Sequence, residues 1–223
     1  MEIVIDIDKL KHVIFDLDGT IIDNMMYHHL AWQKTLDKLG KKFSIEHIQA
    51  HICGGNSKII ESEFPGKFED RDKLKIANEK ETLYRKLYKT HMVPIAGFMD
   101  FTRHLNHSRI DLHIATASPQ DNLSFVLNTL NIRTEFKILK HSGDVKKSKP
   151  DPEIYLSILN ELKTDASETI VFEDSPTGVK SCANANLKAV VVLSTHKKAD
   201  FKGLENSIIG FINDYNHVKF INI

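Results

Sequence analysis

Asp16 and Asp18 stand two residues apart in Phe15-Asp16-Leu17-Asp18-Gly19-Thr20, directly after the apolar run Val13-Ile14-Phe15. The run reads as a buried strand. In an extended chain, residues i and i+2 point to the same side, so both carboxylates address one spot beyond the strand's carboxyl end. Two anions that close repel, and one is driven toward protonation. A hard divalent cation held by oxygen ligands, such as Mg²⁺, removes that cost. Gly19 lets the backbone turn sharply or approach a ligand. An acidic turn after a strand is common by itself, so the chemistry depends on what other strand ends bring.

Three more strand ends carry groups of the right kind. Thr116-Ala117-Ser118 follows Ile114-Ala115. A hydroxyl there, with the amides that open the next helix, can hold a phosphate, although Ser and Thr before a helix usually only cap it. Pro119 suits the first helical turn. Lys149 lies in Lys146-Lys147-Ser148-Lys149-Pro150. Lys146 and Lys147 read as a solvated loop, whereas Pro150 restricts the backbone of Lys149. A fixed ammonium neutralises phosphate oxygens as a point charge. Glu173-Asp174-Ser175-Pro176 follows Ile170-Val171-Phe172, and two acids at a strand end suit a second metal-holding edge. The plain alternative is that Asp174 or Ser175 caps a helix.

The elements that must position these groups are legible as periodicity. Trp32, Leu36 and Leu39 predict a helix that stops at Gly40, and Ser44 caps a second one. A third starts at Asn56 or Ser57, Phe64-Pro65-Gly66 is a turn, and a long helix covers about 70–91 with Leu83, Tyr84, Leu87 and Tyr88 as its apolar stripe. No strand signal occurs across about 25–91. Beyond Pro94, helices marked by Phe98/Phe101/Leu105, Leu123/Val126/Leu127, Tyr155/Ile158/Leu159 and Val179–Ala185 alternate with strands at 110–115, 136–139, 169–172 and 189–193. Ile208–Ile212 reads as a last edge strand. This alternation predicts a parallel sheet covered on both faces. Ile110-Asp111-Leu112-His113-Ile114 departs from it by alternating as a half-exposed strand does. Residues 1–10 are either a strand or a lead-in.

The chain's 223 residues suffice for one large domain or a core plus a small one. Lys+Arg and Asp+Glu are equal at 30 each, so no global field favours nucleic acid or an acidic membrane. Cys53 and Cys182 have no partner at metal-ligand spacing, which predicts reduced thiols and a cytoplasmic protein. The amino terminus has acids where a signal peptide has basic and apolar regions. The longest aliphatic run, Ala189 to Leu193, is too short to span a bilayer. His104 and His107 share a helix face without a third metal ligand.

An Asp-x-Asp, a hydroxyl, a lysine and an acid pair at successive strand ends resemble the haloacid dehalogenase superfamily, and within it the β-phosphoglucomutase-like phosphatases. The resemblance covers nearly the whole chain. It implies a Rossmann-like α/β core with a parallel sheet over 1–22 and 93–223, and an inserted α-helical cap over 23–92. It implies that Asp16 is the nucleophile and forms an aspartyl phosphate, and that Asp18 is the general acid and base. It implies that Thr116 and Lys149 stabilise the phosphoryl oxygens, with Gly19, Thr20, Ala117 and Ser118 around the phosphate. Mg²⁺ is then held by Asp16, the Asp18 backbone carbonyl and Asp174, with Glu173 in support.

Tyr27-His28-His29-Leu30-Ala31-Trp32 resembles the stretch that β-phosphoglucomutases carry after their own Asp-x-Asp, where the His is linked to the catalytic acid, so His28 is implied to orient Asp18. Lys80 aligns near a mutase cap lysine and Gly54 with the substrate-gripping cap loop. That loop departs from the mutase pattern, since Cys53 and Ser57 stand where mutases have Lys and Arg, and neighbouring Lys58 lacks the fork of Arg. The expected activity is therefore a Mg²⁺-dependent phosphatase of a small phosphorylated metabolite, a sugar phosphate in the first instance. The alternatives are a sugar phosphomutase and a non-catalytic phosphometabolite-binding protein. A dehalogenase is disfavoured, because halide leaving needs no proton from Asp18. The expected partner is the small-molecule substrate, not nucleic acid or membrane, and the expected state is a monomer or weak dimer.

Overall fold

A computed structural model describes residues 3–6 and 8–221. In chain order its elements are β1 (Ile3–Asp6), β2 (His12–Phe15), α1 (Met25–Lys38), α2 (Ile45–His51), α3 (Asn56–Glu63), α4 (Asp70–Tyr88), α5 (Phe98–His107), β3 (Asp111–Ala115), α6 (Gln120–Leu130), β4 (Ile138–Lys140), α7 (Glu153–Leu162), β5 (Thr169–Glu173), α8 (Pro176–Asn184), β6 (Lys188–Val192), β7 (Ile208–Ile212) and β8 (Val218–Ile221). The chain divides into two compact units, Met1–Asp23 with Val93–Ile223, and Asn24–Met92.

The first unit is built on a six-stranded sheet in the order β4-β3-β2-β5-β6-β7, with every pair parallel. The apolar runs are continuous because both faces are covered. On one face Phe15 stacks on Phe172 at 5.2 Å and meets Phe98, Phe101 and Phe136 edge-on, with Tyr215 beside it. On the other face Ile14, Val171 and Val191 pack with Tyr155 and Ile158 of α7 and Val179 and Cys182 of α8. The exit and return of the chain are tied together, since Ile22 bridges Pro94 and Ile95 N–H donates to Ile21 O at 2.9 Å.

The second unit is all helical among its described residues. Trp32 and Leu36 of α1, Ile48 of α2, and Ile59 and Ile60 of α3 form its core with Phe64. Ser44 caps α2 by accepting from His47 N–H at 3.2 Å.

The structure corrects several boundaries and one environment. The strand expected at 136–139 starts two residues later, because a 3₁₀ turn at Arg133–Glu135 precedes it. The long helix ends at Tyr88. Pro119 is the cap residue before α6 rather than part of its first turn. Of the two alternatives for the first ten residues the strand holds, as β1, and it pairs in parallel with β8, a strand the sequence reading did not find. β3 alternates in polarity yet is not half-exposed: it lies between β2 and β4, and His113 is fully buried against His12, Nε2 to Nδ1 3.3 Å.

Candidate active site

The strand order reverses between β2 and β5, since the chain winds outward through β3 and β4 and then restarts on the other side of β2. Ligands of open α/β sheets bind at the carboxyl ends beside such a reversal. Phe15 is in register with Phe172, and Asp16 N–H donates to Phe172 O at 2.9 Å. One residue further along each strand, Asp16 therefore lies beside Glu173 and Asp174. These three buried acids each offer an oxygen within 4.8 Å of the others.

Lys149 enters this cluster from the loop before α7. Its Nζ donates to Asp16 Oδ1 at 2.7 Å, to Glu173 Oε1 at 2.7 Å and to Ala115 O at 2.9 Å. Glu173 is saturated. Besides Lys149, it accepts from Tyr155 OH at 3.0 Å, Asp174 N–H at 3.0 Å, and both Ser175 N–H and Ser175 Oγ at 3.2 and 3.1 Å. Gly178 is required here, because a Cβ on it would lie 1.8 Å from Glu173 Oε1. Ser175 does cap α8, accepting from Gly178 N–H.

The electrostatics follow from burial. Asp16 is raised to about 7, first by desolvation and then by the charges of Glu173 and Asp18, against the pull of Lys149. Asp174 is raised well above the usual carboxylate range by desolvation and by Glu173 and Asp16. For Lys149, burial acts downward, but Asp16 and Glu173 outweigh it and its pKa is raised. One ammonium thus faces three buried carboxylates. A divalent cation fits that deficit, and the all-oxygen donor set suits a hard ion.

Asp18 turns to a different partner, accepting from Ser118 Oγ. Ser118 is positioned in turn, because its N–H donates to Thr116 Oγ1 at 3.0 Å. So neither hydroxyl caps α6. Thr116 and Ser118 are buried while Ala117 is exposed. Gly19 has φ +76°, and a Cβ there would meet Asp174 Oδ2 at 2.2 Å, so the turn after Asp18 closes directly on the acid. Thr20 is buried, and its carbonyl accepts from Tyr215 OH at 3.0 Å.

In the helical unit, Lys80 Nζ donates to His28 Nδ1 at 2.8 Å and to Glu81 Oε1 at 3.0 Å. His28 also stacks on Tyr84 at 3.7 Å. The fold thus joins two sequence candidates that are 52 residues apart. Gly54 lies in the loop before α3 with φ +108°, next to exposed Cys53.

The family model described as "Haloacid dehalogenase-like hydrolase" matches residues 13–192. The chain belongs to the haloacid dehalogenase-like hydrolases. It is similar to a phosphorylated carbohydrates phosphatase of Thermotoga maritima, 28% identical over 87% of this chain and 90% of that one. It is also similar to a beta-phosphoglucomutase of Bacillus subtilis, 27% identical over 82% and 83%. Among solved structures, a family IA hydrolase of this kind from Entamoeba histolytica superposes with a TM-score of 0.84 at 26% identity, covering 94% of this chain and 96% of that one.

Two parts of this haloacid dehalogenase-like site were missed in the sequence. Tyr155 read only as apolar stripe, yet its hydroxyl reaches Glu173. Ser194-Thr195-His196 after β6 is a further polar strand end. Its signal was present, since three polar residues directly follow the apolar run Ala189 to Leu193.

Proposed function

We propose that this hydrolase is a Mg²⁺-dependent phosphatase of small phosphorylated metabolites, with sugar phosphates as the leading class. The Lys149 ammonium bridging Asp16 and Glu173, with Asp174 beside them, carries this reading. Mg²⁺ would be held by Asp16, Asp174 and the Asp18 carbonyl, and bound there it would screen the substrate's phosphate charge. Lys149 holds Asp16 Oδ1 in place, so the second oxygen, Oδ2, is assigned to attack phosphorus in line with the leaving oxygen. The P–O ester bond breaks as the aspartyl phosphate forms, and Asp18 gives the leaving oxygen its proton. Asp18 then takes a proton from the water that splits the acyl phosphate, which frees phosphate and restores Asp16. Thr116, Lys149 and the Ala117 amide are assigned to the equatorial oxygens. Glu173 positions Lys149.

Relatives named as a carbohydrate phosphatase and as a fructose-1-phosphate phosphatase support the substrate class. Cys53 and Cys182 are both free, which supports a reducing, cytoplasmic setting. No described helix is long and apolar enough to cross a membrane.

The mutase reading has one observation in its favour, the part-buried Lys80–His28 contact, in a stretch resembling that of the mutases. Against it stand Cys53 and Ser57, which leave the cap loop without a forked Arg grip. One experiment decides between them. The protein is given β-glucose 1-phosphate, a trace of glucose 1,6-bisphosphate and Mg²⁺, and glucose 6-phosphate and free phosphate are followed together. Phosphate release with little isomerisation is expected, and a screen of phosphorylated metabolites then ranks substrates. Glucose 6-phosphate forming many times faster than phosphate replaces the phosphatase with the mutase.

A further inference from the structure

The loop Ser194-Thr195-His196 touches both halves of the acidic site. Ser194 Oγ donates to the Gly19 carbonyl, in the turn that follows Asp16 and Asp18. The Thr195 hydroxyl and the Asp174 carboxylate face the same turn at Gly19. The point where a Gly19 Cβ would stand is 2.7 Å from Thr195 Oγ1 and 2.2 Å from Asp174 Oδ2, so turn, loop and acid converge there. His196 Nδ1 lies 3.2 Å from the Asp174 carbonyl oxygen, which accepts only from the Nδ1–H tautomer. Its ring is held edge-on against buried Phe201 at 6.2 Å. The loop follows β6, whose Val191 is in register with Glu173 of β5, so the sheet delivers it to this end.

We propose that Ser194-Thr195-His196 is a positioning clamp that aims the Asp174 carboxylate and the Gly19 turn at the cation site and thereby sets the affinity for Mg²⁺. This rests on the cation reading of the Asp16, Asp174 and Glu173 cluster. An Asp174 carboxylate left free to rotate would exchange between the cation and solvent. In this clamp the Thr195 hydroxyl, which converges with Asp174 Oδ2 on the Gly19 turn, limits that rotation. His196 fixes the backbone from which that carboxylate projects, and Ser194 fixes the opposite wall. Partners that orient metal ligands typically matter about 10–100-fold in metal affinity or activity.

The test compares wild type, Thr195→Val, Thr195→Ser and Ser194→Ala, titrating Mg²⁺ alone by calorimetry and by melting temperature, with the chelated protein as reference. Thr195→Val keeps the shape and removes the hydroxyl, so the chelated protein should melt within a few degrees of wild type while its Kd for Mg²⁺ rises about tenfold. Thr195→Ser should restore most of that loss. Ser194→Ala should weaken binding severalfold, and it carries the test alone if Thr195→Val does not fold. A wild type that binds Mg²⁺ with Thr195→Val and Ser194→Ala both within twofold of it overturns the clamp and leaves the cation reading standing. A wild type that shows no Mg²⁺ binding overturns both.

Discussion

Lys149 Nζ lies 2.7 Å from Asp16 Oδ1, a contact between residues 133 apart in the chain. Both side chains are at most 10% exposed, and Lys149 has a second carboxylate, Glu173 Oε1, at the same distance. The lysine therefore fixes the orientation of Asp16 and supplies the protein's own positive charge where a phosphate would arrive. Replacing Lys149 with Met keeps the bulk and deletes the charge. Removing one partner of a buried ion pair costs about 3–5 kcal/mol, so denaturant unfolding should show a loss of that order. Turnover should fall with it. A Lys149→Met protein that unfolds like wild type contradicts the bridging role.

Asp16→Asn keeps the shape and removes the anion assigned above to attack. We expect kcat to fall by at least about 10³, as for loss of a core catalytic group. The fold should persist, because the residue lies at the end of the sheet and the substitution removes one of several repelling carboxylates. Turnover within tenfold of wild type takes Asp16 out of the nucleophile's role.

Asp174 and Glu173 are adjacent but should behave oppositely. Asp174→Asn removes the buried charge whose desolvation, and then its repulsion by Glu173 and Asp16, raise its carboxyl, so the chelated protein should melt at or above wild type, while the rise in melting temperature with Mg²⁺ disappears. Glu173→Gln disturbs an acceptor for Lys149, Tyr155, Asp174 and Ser175, so the chelated protein should lose stability while Mg²⁺ binding is weakened less. Melting scans of both proteins with chelator and with Mg²⁺ read the difference. EDTA should abolish wild-type turnover.

His113 gives a pH dependence remote from the site. Burial, and then the neighbouring His12, lower its pKa to about 4, while Asp111 and Glu161 act upward and Lys137 downward. In the unfolded chain it titrates near 6.5. Above 6.5 the ring is neutral in both states and pH has no effect through it. Below 6.5 the unfolded state takes up the proton first, so stability falls with pH and the loss levels off below about 4, at roughly 3 kcal/mol. His113→Leu should remove that part of the acid limb. Denaturant unfolding of both proteins between pH 7 and 4 measures it, and parallel curves contradict a buried neutral imidazole.

The local code was largely legible. Val13-Ile14-Phe15 and Ile170-Val171-Phe172 are read as strands because full burial on both faces demands unbroken apolar runs, and polar residues directly beyond a strand can only sit at its end. Ser44 and Gly40 mark helix ends through backbone chemistry that needs no tertiary contact. The positions of Asp16, Asp18, Thr116, Lys149, Glu173 and Asp174 at strand or loop ends follow from that pattern. The β1–β8 pairing did not, since short strands at the two ends of a chain carry no signal of each other.

Which of those residues touch was decided only by the fold. The sequence placed Ser118 before a helix, where capping is the usual role, and it was strand order that brought its hydroxyl to Asp18. His113 read as solvent-facing because alternation records side-chain polarity, not which strands flank it, and only the position between β2 and β4 buries it. Likewise the residues alone gave Glu173 only as one of two acids at a strand end, and its supporting place came from the family resemblance. The register of β5 on β2, with Lys149, Tyr155 and the start of α8 gathered on it, made it the saturated member and left Asp174 beside Gly19. Pattern fixes what a residue can do at its own position, whereas partners separated by 100 residues or more are chosen by sheet order and packing, which no local window contains.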